Sequence, residues 1–173
     1  MRVKKIPLQD SLLVARYCPV NFVESLAFDF ESSSPPSADD VMVAFWTDQP
    51  KWISALIKLR GILVKPFGLS SGESSIDEFA GLIRQGGSGS FASVPAKSDN
   101  ETVLCLDDKH LVAYLSASIT ALGNGKNRVV VSTLVRFYKR FGRVYFYAIL
   151  PFHGILVRSQ VKRALRRLCS VAK

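Results

Sequence analysis

Apolar residues alternate from Pro19 to Phe30: Val20, Phe22, Leu26 and Phe28 share one face at period two, with Glu24 the exception. This predicts a strand, ended by Ser32-Ser33-Ser34-Pro35-Pro36. Ser37 suits an N-cap, with Asp39 and Asp40 in the first turn of a short helix that carries Met42, Phe45 and Trp46 at helical spacing. Asp48 and Pro50 open a second helix, whose stripe Trp52, Leu56, Leu59, Leu63 recurs at i, i+4, i+7 and i+11 until Pro66-Phe67-Gly68. Lys58, Arg60 and Lys65 face away from that stripe. Residues 70–90 read as a flexible connection or a short lid helix. Ser75 and Glu78 have capping-box spacing ahead of Ile76, Phe79, Leu82 and Ile83, and the glycine-rich run Gln85–Ser90 lacks the Lys-Ser/Thr end of a phosphate-binding loop.

The second half changes period. Phe91–Ala96, Thr102–Leu106, His110–Ile119, Arg128–Tyr138 and Arg143–Leu150 all read as strands, with turns at Asp107-Asp108, Gly123-Asn124-Gly125 and Lys139–Gly142. No helix separates them, which predicts an antiparallel meander. Pro151 breaks the last strand and opens a long amphipathic helix. Val157, Val161, Ala164, Leu165 and Leu168 form its apolar stripe, and Arg158, Lys162 and Arg166 line another face. The element order predicts an α+β fold in which a curved antiparallel sheet grips the C-terminal helix, with two shorter helices after the first strand. A sheet that grips one helix leaves room for a small-molecule pocket between them.

Length and charge narrow the classes. The chain has 173 residues, 48% of them apolar, which suits one folded domain and excludes global disorder. All 14 carboxylates lie in the first 108 residues, whereas 13 of the 23 Lys and Arg lie from Lys109 onward. Two readings compete for that asymmetry: a footprint for an anionic partner such as nucleic acid or acidic lipid, and a solvated helix face whose cations complement the helix C-terminus. Cys18, Cys105 and Cys169 are odd in number, far apart and in no CxxC pair, so no metal site and no disulfide framework is expected. Nothing approaches the roughly 20 apolar residues of a membrane span, and Gln9-Asp10-Ser11 interrupts any signal-peptide core. The expectation is a soluble cytoplasmic protein without a cofactor.

The chain resembles an uncharacterised bacterial family, domain of unknown function twenty-eight sixty-seven. The matching pieces run in order: Pro50-Lys51-Trp52, Leu59-Arg60, Asp107-Asp108-Lys109-His110-Leu111, Gly142-Arg143-Val144-Tyr145 and Pro151-Phe152-His153. The element order also resembles the helix-grip fold of the START-like superfamily (SRPBCC), which includes the birch-pollen allergen and polyketide cyclase families. That resemblance implies binding of apolar or aromatic small molecules, sometimes with catalysis. The family itself supplies no catalytic residues.

Candidate chemistry follows from residue type. His110 and His153 are the only histidines, hence the candidates for general acid–base work; the structural reading is that each satisfies polar groups at an element end. Trp46, Trp52, Tyr114, Tyr145, Tyr147 and His153 are candidate pocket-lining residues, and Arg60 is a candidate partner for an anionic ligand group; ordinary core packing or a salt bridge competes for each. An RNA-binding strand at Arg140–Tyr147 is disfavoured because Phe141 stands where the motif needs glycine. There is no G-x-S-x-G elbow, no HExxH helix and no carboxylate after Asp108, which argues against hydrolases of the two-carboxylate kind. Four functions remain in play: an apolar small-molecule binder, an enzyme of cyclase, isomerase or dehydratase type on the same fold, a basic-surface nucleic-acid or membrane binder, and an interaction domain whose outer sheet face is covered in a homodimer.

Overall fold

The structure is a computed structural model that describes residues 1–47, 76–89 and 92–171. The long alternating runs become strands: β1 (Arg2–Ile6), β2 (Phe22–Glu31), β3 (Gly87–Ser88), β4 (Ala92–Lys97), β5 (Glu101–Asp107), β6 (Leu111–Gly123) and β7 (Lys126–Phe137). They form one curved, wholly antiparallel sheet in the order β1-β2-β7-β6-β5-β4-β3. Three helices are described: α1 (Ala38–Thr47), α2 (Ile76–Gln85) and α3 (Arg140–Val171). Together they make the α+β helix-grip arrangement. The second helix read over residues 50–63, with Trp52 and Arg60, lies outside the described residues.

The inner sheet face carries Leu26, Phe28 and Phe30 of β2, Val129 and Val131 of β7, Leu115 and Ala117 of β6, and Leu104 of β5. Against it pack Val41, Met42 and Phe45 of α1, Phe79 and Ile83 of α2, and Val157, Val161 and Leu165 of α3. Burying both apolar surfaces against each other is the driving force for this layer. Ser37 caps α1 as its spacing predicts: its Oγ accepts from Asp40 N–H at 3.1 Å and donates to the Asp40 carboxylate at 2.7 Å. Asp39 ties the same helix to the sheet through Lys97 (2.6 Å) and the Thr102 hydroxyl (2.5 Å). The β6–β7 turn needs positive φ at both central residues, and Asn124 (φ 53) and Gly125 (φ 70) supply it.

Three features depart from the sequence reading. Arg143–Leu150 is not a strand, and Lys139–Gly142 is not a hairpin turn. Arg140–Val171 is one helix with Pro151 inside it rather than at its start. A strand there would set Tyr145 and Tyr147 on the face opposite Phe146. The helix instead aims Phe146 alone inward, 5% exposed, onto Phe22 at 4.9 Å between ring centroids and Phe137 at 5.6 Å. Gly142 permits that approach, because a Cβ there would overlap the His110 carbonyl oxygen. Pro151 is exposed, so its ring displaces nothing in the core.

The N-terminal strand β1 and the segment after it are the second departure. Leu8, Leu12, Leu13, Val14, Tyr17 and Val20 cover Val103, Leu134 and Tyr114 on the outer face. The covering of that face expected from a second copy is therefore supplied here by the chain itself. Finally, Gly86 (φ 79) and Gly87 (φ 103) turn the glycine-rich run directly into the edge strand β3. Among the described residues no helix is long and apolar enough to cross a membrane.

Candidate functional site

Glu24 interrupts the apolar alternation of β2, and the structure shows what it meets. Its side chain is only 11% exposed on the inner face, where Lys5 Nζ lies 3.4 Å from Oε1 and His153 Nδ1 lies 3.3 Å from Oε2. Across the β2–β7 pair it sits beside buried Thr133. His153 projects from α3 into this pair between Phe22 (6.2 Å between ring centroids) and Phe146 (6.4 Å). The Nδ1–Oε2 approach has ion-pair distance without hydrogen-bond alignment, which leaves Nδ1 buried and unbonded. Burial lowers the imidazole pKa below its ordinary value, and the Glu24 charge opposes that shift only in part. The neutral ring is thus favoured, wedged between two aromatics. Such a perturbed pair is a candidate acid–base dyad, but the aromatic walls close it off.

Open space lies at the other end of β2. A cleft of about 680 Å³ separates the last turns of α3 from the β2 end and the β6–β7 hairpin. Its apolar walls include Phe30 and Leu165, 8% and 0% exposed, together with Leu122 and Cys169. Leu122 reaches the cleft because the β6–β7 register shifts between Ala121 and Gly123, a bulge beside the tight turn. Burial raises the Cys169 thiol pKa, while a bond with Ser32 pulls it down, so the thiol presents a neutral wall. Lys126 and Arg166 bring positive charge to the rim, against Glu31 and Asp29. Asp29 is already committed: Arg128 clamps its carboxylate at 2.6 and 2.9 Å, and that bond chiefly holds the carboxyl below its usual range.

The dyad and the cleft do not meet. Glu24 and Phe30 are six residues apart on β2, about 20 Å at the usual strand rise. Between α1 and the inner face, the space among Val41, Met42, Phe45, Leu115, Ala117 and Val131 is only about 10 Å³, at or below what one water needs.

The other sequence candidates scatter. Tyr114 lies on the outer face, away from the helices, stacked on Tyr17 at 4.1 Å, because its register puts it opposite Cys105 and Leu134. It therefore lines no space between sheet and helix. Tyr147 is 45% exposed under Arg143, whose guanidinium carbon stands 5.8 Å from the ring centroid. Tyr145 stacks near Phe141 at 6.4 Å. His110 precedes β6 and meets Phe141 at 5.0 Å, its Nδ1 buried without a partner. Trp46 packs edge-on to Phe45 and Phe79 in the helical layer, with Nε1 likewise unbonded. Among the described candidates, His153 joins the Glu24 carboxylate on the inner face and Tyr114 meets the Cys105 thiol on the outer face. Glu24 carried a signal in the sequence as a carboxylate on an apolar face. The cleft residues carried none, since Phe30, Leu122 and Leu165 read as ordinary strand and helix positions.

Among the described residues no group of three or more His, Cys, Asp or Glu could hold a metal ion. All three cysteines are free thiols. A family model described as protein of unknown function (DUF2867) matches residues 17–160, which takes in β2 to β7, α1, α2 and α3 as far as Gln160. No curated protein and no solved structure matches the chain.

Proposed function

The chain belongs to this family of proteins of unknown function, and from its architecture we propose that it binds an amphiphilic small molecule with an apolar body and an acidic head. The observation that carries this is the cleft between α3 and the β2 end, about 680 Å³, within the roughly 300–1,000 Å³ of small-molecule sites. The apolar body lies on Phe30, Leu165 and Leu122. The acidic head meets Arg166 and Lys126, which form no ion pair among the described residues. The resemblance to START-like proteins supports the same reading, because helix-grip proteins of that kind take apolar ligands beside the C-terminal helix. Binding is favoured over catalysis because the Glu24–His153 dyad lies about 20 Å from the cleft along β2 and is walled by Phe22 and Phe146.

Anilinonaphthalene sulfonate, an aromatic body with an anionic head, is a direct probe. The wild-type protein should bind it at a saturable site with a blue-shifted emission. The double variant L122E/R166E should weaken binding about tenfold or more, since each 1.4 kcal/mol is tenfold. Both positions are solvent-accessible, so the urea midpoint should stay within error. Equal affinity in a folded double variant sinks the reading.

A further inference from the structure

A helix packed on a sheet normally turns a polar face to water. The outward face of α3 obeys that rule only in its second half. There Arg158, Lys162, Arg163 and Arg166 follow one another toward the C-terminus. In the first half the same outward line reads Val144, Ala148, Pro151, Ile155, at spacings of four, three and four, with Tyr147 and Phe152 on its flanks. These side chains are uncovered: Val144 is 70% exposed, Phe152 58% and Ile155 61%. Basic residues bracket the stripe. Lys139, Arg140 and Arg143 precede it, all exposed, and Arg158 and Lys162 follow it. No carboxylate occurs anywhere in the helix. Glu24, the carboxylate that meets the helix at His153, does so on its inward side.

We propose that this face, Arg140 to Lys162, docks the protein on an anionic membrane surface. An apolar stripe with basic flanks and an aromatic at its edge is the composition of helices that lie in the plane of the lipid interface. Tyr147 fits headgroup depth, with its hydroxyl end and the Arg143 guanidinium over its ring. Pro151 supplies no N–H to the Tyr147 carbonyl, so that exposed acceptor needs hydrated surroundings and suits a wet headgroup layer better than a dry protein groove. A second copy is disfavoured by charge, because a two-fold contact through this face sets arginines against arginines with no acid to receive them. Nucleic acid is disfavoured by the stripe itself, since Val144, Phe152 and Ile155 add nothing to phosphate contacts and such interfaces are polar. The surface is separate from the cleft and does not depend on it.

Vesicle co-sedimentation tests the proposal with the full chain. The protein should pellet with phosphatidylserine–phosphatidylcholine vesicles at low salt, not with phosphatidylcholine alone, and should be released as salt rises. F152S/I155S should weaken vesicle binding about tenfold, and R140E/R143E should do so at least as much. All four side chains are solvent-accessible, and unchanged circular dichroism and urea midpoints confirm that the variants fold. The cleft variant L122E should pellet like wild type, which separates this surface from the ligand site. Three results overturn the proposal: no binding to anionic vesicles, F152S/I155S binding like wild type, or retention on RNA or an acidic polypeptide but not on vesicles.

Discussion

A histidine locked against a glutamate and two aromatic rings makes stability depend on pH in a calculable direction. An ordinary histidine titrates near 6.5, and burial lowers His153 below that in the folded protein. Between the folded and unfolded values the unfolded chain binds the proton and the native chain does not. Stability therefore rises with pH across that window, is fully present above about 6.5, and is lost as pH falls through the folded value. The slope from this one group is at most about 1.4 kcal/mol per pH unit. Urea midpoints of wild type should fall below pH 6.5, and those of H153Q should fall less steeply; parallel curves would mean that Glu24 fully offsets the burial. At this scale the sequence was partly legible. Glu24 stood out because a carboxylate on an apolar strand face needs a partner. The partner was not readable, because His153 reaches it only when residues 143–150 are helical.

That helix is where element-level reading fails, and the reason is physical. Val-Tyr-Phe-Tyr-Ala-Ile-Leu is rich in residues that favour pleated surfaces, and a proline follows it. Local preference thus points to a strand ending at Pro151. Packing decides otherwise: one helical face delivers Gly142, Phe146 and His153 to the sheet together, and no strand can. The strands β2 and β4 to β7 were legible within a few residues because each has one buried face and a clear turn. β1 and the outer segment were not, since Leu8, Leu12 and Leu13 are too few to show a period. What fastens that segment is Glu101. Its carboxylate, on a residue 4% exposed, accepts the Leu13 N–H at 2.6 Å and the Val14 N–H at 3.2 Å, capping the 3-10 turn Leu13–Tyr17 from across the sheet. E101A leaves two donors without their acceptor and should cost about 2 kcal/mol. Trypsin should then cut after Arg16 faster than in wild type under native conditions. Cleavage at the wild-type rate would show that Val14 and Tyr17 hold the segment by packing alone.

At the scale of the whole molecule the question is whether the acidic first 108 residues neutralise the basic remainder. Asp29–Arg128 and Glu24–His153 join the two parts, but Lys5–Glu24, Arg84–Asp40 and Lys97–Asp39 spend acids within the first. Lys139, just ahead of α3, and Arg140 and Arg143 in its first turn stay exposed, and Arg158 and Lys162 add partly exposed charge further along the same helix. With a formal charge of +9, folding brings like charges together that the unfolded chain holds apart. Salt screens that repulsion over about 10 Å at 0.1 M. Surface pairs such as Arg84–Asp40 lose little by the same screening, because they contribute under about 1 kcal/mol each. The melting temperature should therefore rise by about 2–4 °C between low and physiological salt, the shift that about 1 kcal/mol produces in a chain of this size. R140E should raise the low-salt melting temperature and shrink the salt effect, as scanning calorimetry at pH 7 would record. If salt lowers the melting temperature instead, attraction between the two parts outweighs repulsion along the helix. The excess charge that opposes folding is the same charge that draws α3 toward an anionic surface, so R140E should gain stability and lose vesicle binding in one substitution.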